Sequence, residues 1–142
     1  MNYPFRKKIF AEAETIQLAL EFADTLKQGD VIILNGNLGA GKTFFIKQVL
    51  KKFNFNNVNS PTFAIVNEYR NEKNFFHFDF YRIEKREELI DIGYNDYLND
   101  TDSITFIEWG NLQPDLLPAK RIEININMLN DTEREFNFIK YG

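Results

Sequence analysis

The chain has 142 residues, with 21 acids against 17 lysines and arginines and a net charge of −4, so a broad basic surface that grips nucleic acid alone is not expected. With 44% apolar, 15% aromatic and 27% charged residues, it reads as one ordinary globular domain and not as a disordered chain. It contains no cysteine, which excludes disulfides, thiolate zinc sites, iron–sulfur clusters and thiol catalysis and suits a reducing cytosol. No apolar run has membrane-spanning length, and the basic opening MNYPFRKKIFAEAE lacks the apolar segment of a secretory leader, so a cytoplasmic protein without membrane attachment is expected.

The first predicted element is a helix over 12–27. Ile16, Ala19, Leu20, Ala23 and Leu26 recur at helical spacing, Glu12 and Glu14 favour the positive N-terminus, and Gly29 stops it. Val31-Ile32-Ile33-Leu34 is short, β-branched and apolar on both faces, the pattern of a strand inside a sheet. A glycine-rich turn follows, and then a second helix marked by Ile46, Val49, Leu50 and Phe53. FAIVNEY (63–69) and FFHFDFY (75–81) flank a polar NEKN turn and read as a β-hairpin. Residues 85–92 form a short acidic helix ended by Gly93, and ITFIE (104–108) is another buried strand that closes on an acid. RIEININM (121–128) and REFNFIKY (134–141) alternate like a second hairpin. Strands interleaved with helices give an α/β fold with a mixed central sheet, parallel around the glycine turn and antiparallel towards the edge.

Chemistry concentrates in residues 36–43, GNLGAGKT: Gly36, four residues, then Gly41, Lys42 and Thr43. This is the phosphate-binding P-loop pattern, set between a buried strand and an amphipathic helix as that motif requires. Gly36, Gly39 and Gly41 free the backbone so that successive N–H groups turn inward, and the helix N-terminus adds its positive end. Lys42 supplies a cation for the β- and γ-phosphates of ATP, or the β-phosphate of ADP, and the Thr43 hydroxyl is a ligand for Mg²⁺.

Such a site also needs an acid at a strand end. Glu108 and Asp79 are the two candidates, and Glu108, at the end of the more apolar strand, fits better. Ser60-Pro61-Thr62 reads locally as a polar cap and rigid turn. His77, the one histidine, reads as a hydrogen-bonded structural group. Trp109 is either core or an aromatic wall beside the nucleotide, and Arg82, Arg121 and Arg134 read as ordinary surface charges. Neither Asn-Lys-x-Asp nor Asp-x-x-Gly occurs, which argues against guanine. From the residues alone, an ATPase, a nucleotide-switched binding scaffold with little turnover and a small-molecule kinase all remain open.

Four segments, GNLGAGKT, VNSPTF (58–63), HFDFYR (77–82) and IEWG (107–110), resemble in order and separation the signature of the TsaE (YjeE) family. These are small bacterial P-loop ATPases needed to make threonylcarbamoyladenosine on tRNA. The resemblance implies a P-loop ATPase domain spanning the chain, with ATP seated along Asn37, Leu38, Gly39, Ala40, Gly41, Lys42 and Thr43. It implies Mg²⁺ held by Thr43 and Glu108, with Lys42, Glu108 and Asp79 as the catalytic set and Asp79 on the γ-phosphate side. Ser60 and Thr62 become switch-like residues, Thr15 lies near the base, and Arg134 and Trp109 lie near the nucleotide. It also implies work with the TsaB–TsaD heterodimer. In that scheme TsaD transfers the threonylcarbamoyl group, tRNA is met indirectly through the complex, and hydrolysis, weak alone and raised by the partners, resets the cycle. Two positions depart from the family pattern: Asn37 stands where aspartate is usual, and Ala11 near a helix start that usually has a serine cap.

Overall fold

The computed structural model describes residues 1–61 and 64–142. Seven strands form one sheet in the order β1-β7-β6-β2-β5-β4-β3. The strands are β1 (Phe5–Ile9), β2 (Val31–Asn35), β3 (Val66–Arg70), β4 (Asn74–Asp79), β5 (Ser103–Glu108), β6 (Arg121–Met128) and β7 (Arg134–Tyr141). The helices are α1 (Glu12–Ala23), α2 (Lys42–Lys52), α3 (Arg86–Asp91) and α4 (Tyr94–Leu98). Strands β6, β2, β5 and β4 are parallel neighbours, while β1, β7 and β6 on one side and β3 and β4 on the other pair antiparallel. The expected mixed α/β fold is thus present, with antiparallel pairing at both edges.

One core lies between the sheet and α1 and α2, where Phe22 and Phe45 meet Ile32, Leu34, Phe106, Phe136 and Phe138. A smaller core on the opposite face joins Ile33, Phe76, Phe78, Phe80 and Ile107 to Leu89 and Tyr94. The latter two come from α3 and α4, so these short helices cover the β2-β5-β4 half. On the β6–β7 half, Ile122, Ile124 and Ile126 are buried while Glu123 and Asn125 are only half-buried, the alternation of a sheet packed on one side. A cavity of about 740 Å³ lies over that polar face, lined by Asn35, Asn125, Asn127 and Asn137. Some of its amides are paired locally: Asn35 donates to Asn125 Oδ1 at 2.9 Å and Arg6 to Asn137 Oδ1 at 2.7 Å, whereas Asn35 Oδ1 is buried without a partner among the described residues.

Several expectations change in detail. The predicted helix over 12–27 ends at Ala23, because the Thr25 hydroxyl and N–H both donate to Phe22 O and replace the helical ladder. Its buried face is Thr15, Leu18, Ala19, Phe22 and Ala23, a stripe rotated from the predicted one so that Thr15 turns inward. Ala11 is the N-cap and makes no side-chain cap bond. Strand β4 alternates in chemistry but not in exposure, for Phe75, Phe76, His77 and Phe78 are all buried. It is an interior strand between β5 and β3. The 121–141 hairpin is no simple edge, because β6 pairs in parallel with β2 and β1 lies outside β7. Strand β1 and helix α4 were not anticipated: the first is too charged, and the second too short, for periodicity to show.

Candidate functional site

Residues 36–41 link the end of β2 to the first turn of α2. Gly39 (φ +80°) and Gly41 (φ +106°) occupy the left-handed region, which costs residues with a Cβ about 1–2 kcal/mol. Gly36 is needed for space: a Cβ there would lie 2.8 Å from Ile126 O and 3.1 Å from Ala40 Cβ. The Ala40 N–H donates to Asn37 O at 3.0 Å and the Phe45 N–H to Gly41 O at 2.9 Å, so the loop turns directly into the helix. Asn37 and Leu38 stand exposed at its tip. No acid lies in the first turn of α2, and Lys51 and Lys52 occupy its last, a charge order that suits the helix dipole and leaves the N-terminus to an incoming anion.

Lys42 is 5% exposed. Its ammonium donates to Gly36 O and, at 3.1 Å, to Asn37 O, and sits 4.1 Å from the centre of the Trp109 ring. Burial lowers its pKa, while Glu108 and Asp79 pull it back up. Trp109 itself has φ +60° and meets the Tyr81 ring at 5.0 Å. Trp109 has a share in both readings left open for it, half-buried against the smaller core and lining the cavity that holds Lys42.

Strands β4 and β5 end side by side, with Asp79 registered against Glu108. Thr43, in the first turn of α2, places Oγ1 3.0 and 2.9 Å from the two Glu108 carboxylate oxygens and 2.7 Å from Ser60 Oγ. A carboxylate only accepts, so Thr43 donates to Glu108 and Ser60 donates to Thr43. His77 Nε2 lies 2.6 Å from Glu108 Oε2, so the residue read as a hydrogen-bonded structural group bonds to one of the two candidate acids. Asp79 Oδ1 accepts the Tyr81 N–H at 2.9 Å. Its pKa is raised chiefly by burial, opposed by that N–H bond and reinforced by the Glu108 charge.

Two cavities flank the loop. One of about 410 Å³ brings together Lys42, Thr43, Ser60, Asp79, Glu108 and Trp109. The other, of about 550 Å³, is bordered by Thr15, Gly39, Ala40, Gly41, Phe44 and Arg134. Arg134 was read from its neighbours as a surface charge. It instead braces the loop, donating to Ala40 O at 3.2 Å and to Asn130 O, Asp131 O and Glu133 O at 3.1–3.3 Å. Arg121 pairs with Glu123 and lies over Tyr141, away from the loop. Thr62 lies outside the described residues. Tyr81, which the sequence reading does not single out, also lines the cavity around Lys42; it lies in the turn just beyond the end of β4, so that the strand's register with β5 is what brings it there.

Among the described residues no three histidines, cysteines or acids converge as a metal cage. The donor set beside the loop is two hydroxyls, of Thr43 and Ser60, and two carboxylates, of Asp79 and Glu108, all hard oxygens. That suits Mg²⁺, which takes one or two protein oxygens and fills its shell with phosphate and water. No helix among the described residues is long and apolar enough to cross a membrane.

A family model described as "Threonylcarbamoyl adenosine biosynthesis protein TsaE" matches residues 9–136. A protein of Rickettsia prowazekii named tRNA threonylcarbamoyladenosine biosynthesis protein TsaE is 39% identical over 127 residues, covering 87% of each chain. A Bacillus subtilis protein of the same name is 38% identical over 131 residues, 91% of this chain and 81% of that one. The crystal structure of YdiB from Bacillus subtilis superimposes with a TM-score of 0.80 at 30% identity, covering all of this chain and 88% of the other.

Proposed function

This chain belongs to the TsaE family, and from that premise we propose that it binds and hydrolyses ATP with Mg²⁺ as the ATPase subunit of the tRNA threonylcarbamoyladenosine machinery. In this reading it works with the TsaB–TsaD heterodimer and meets tRNA only through that complex, which fits its net charge of −4. The observation that carries the proposal is the convergence of Lys42 and Thr43, from the loop and α2, with Asp79 and Glu108 at two adjacent strand ends.

The triphosphate would lie along the loop backbone of residues 37–43 at the N-terminus of α2, with the base in the cavity between Thr15 and Arg134 and the terminal phosphate on the Asp79 side. Lys42 must release Gly36 O and Asn37 O to reach the phosphates, an exchange of two neutral acceptors for an anionic one that favours the bound state. Thr43 and Glu108 would hold Mg²⁺, which when bound would spread the phosphate charge. Asp79 accepts a hydrogen bond from the attacking water and sets it in line. Trp109 and Tyr81 wall the site against bulk solvent.

Lys42→Ala should abolish saturable heat on titration with magnesium-loaded ATP or ADP, while wild type gives a single-site isotherm. Single-turnover assays with TsaB–TsaD should release inorganic phosphate faster than the protein alone. No release under any condition would leave only a nucleotide-switched scaffold, and transfer of the γ-phosphate to a metabolite would make the protein a kinase. A wild type that is folded yet silent to both nucleotides would overturn nucleotide binding itself.

A further inference from the structure

His77 lies in β4, wholly buried and two residues before Asp79 on the same side of the strand. In the parallel register it stands against Phe106, one alternation deeper in the sheet than the Asp79–Glu108 pair. From there it reaches up to Glu108, Nε2 to Oε2 at 2.6 Å. Glu108 is itself 3% exposed, and a buried carboxylate has to be supplied with donors. Its side-chain donors among the described residues are the Thr43 hydroxyl and His77. The Thr43 hydroxyl has a second task, since its oxygen lone pairs face a cation while its proton is donated to Glu108, whereas His77 has no other hydrogen-bond partner to serve. Its Nδ1 is buried without a hydrogen-bond partner among the described residues. With Glu108 accepting, the donor in that bond is the His77 Nε2–H.

We propose that His77 is a positioning residue: through its Nε2–H it fixes the Glu108 carboxylate in the orientation that faces Thr43, and so sets the affinity of the site for Mg²⁺ and not for the nucleotide. This rests on the Mg²⁺–nucleotide reading given above. A partner of this kind behind a metal-binding side chain typically changes metal affinity by 10- to 100-fold.

The test uses substitutions that differ in reach. Glutamine carries an amide nitrogen as many bonds from Cβ as His77 Nε2, whereas the asparagine amide stops short. ADP affinity is measured by calorimetry for wild type, His77→Gln and His77→Asn, each in EDTA and in Mg²⁺. The expected result is that His77→Asn keeps its EDTA affinity but loses about tenfold of the gain conferred by Mg²⁺, and that His77→Gln retains most of that gain. Equal gains in all three proteins, or losses of the same size in EDTA and in Mg²⁺, would overturn the proposal. Because the chain has one histidine, ¹⁵N labelling gives one imidazole spectrum, read without nucleotide. It should show a protonated Nε2 whose signal shifts in Glu108→Gln. An Nε2 without its proton overturns the positioning role, whereas a wild type that binds no ADP while showing the protonated Nε2 overturns the nucleotide reading.

Discussion

Gly36→Ala isolates one consequence of how the loop leaves β2. The glycine does not have a positive φ, so alanine meets no conformational penalty there. What it meets is Ile126 O at 2.8 Å and Ala40 Cβ at 3.1 Å. The first is a backbone atom of β6, the parallel neighbour of β2, and cannot rotate away as a side chain would. Relief requires the end of β2 to part from β6 by several tenths of an ångström, and overpacking of this kind costs about 1–3 kcal/mol. At roughly 3 °C per kcal/mol for a chain of this size, the midpoint of thermal unfolding should fall by about 3–9 °C. Gly39→Ala and Gly41→Ala provide the contrast, since a Cβ at either would have no atom within 4 Å and they pay only for a left-handed backbone, about 1–2 kcal/mol each. Their cost falls on the loop backbone itself and should appear as weaker nucleotide binding as well as a small loss of stability. Scanning calorimetry and ADP titration on the three variants separate the cases. A Gly36→Ala protein that unfolds with the wild type, or a Gly39→Ala protein that binds ADP as tightly as the wild type does, would refute the reasoning.

Asp79→Asn should change stability with pH in a defined direction. Burial holds the native Asp79 pKa above its unfolded value, so its contribution is greatest below the unfolded value and is lost as pH rises through the raised native one. The asparagine variant should therefore match wild type in acid and exceed it in melting temperature at neutral pH, while losing turnover; a difference that does not vary with pH would count against this. Arg134→Ala removes the bond to Ala40 O and three to the 130–133 turn. Bonds from a charged donor are worth about 1.5–3 kcal/mol where sheltered; Arg134 is half-buried, so about 1–2 kcal/mol is expected from chemical denaturation, together with weaker ADP binding. Unchanged ADP affinity in a destabilised variant would confine Arg134 to the hairpin.

The sequence was most legible where one residue type had one physical reason to be present. GNLGAGKT between an apolar run and an amphipathic helix could be placed as β2, loop and α2 because glycine spacing and periodicity agree. The 121–141 hairpin emerged with its observed bounds because its faces alternate cleanly. Strand β1 was hidden: Arg6, Lys7 and Lys8 carry no apolar period, and the strand is specified by its pairing with β7, a contact more than a hundred residues away. The same limit applied to the site. Lys42 and Thr43 were readable from local spacing, but whether Glu108 or Asp79 faced the helix depended on strand order, and the sheet brings the two together. Arg134 looked like a surface charge because nothing near it in sequence reveals that the β6–β7 turn reaches Ala40.

That reach has a consequence for biosynthesis. The phosphate loop is made early and its brace late: the Ala40 carbonyl waits 94 residues for the guanidinium that holds it, and β1 waits for the same strand to gain its partner. A ribosome-bound chain that has emerged only through β5 already has β2, the loop and α2, but one wall of the cavity beside the loop is still missing. On the nucleotide reading proposed above, ADP binding by arrested nascent chains of increasing length should therefore strengthen once Arg134 has cleared the exit tunnel.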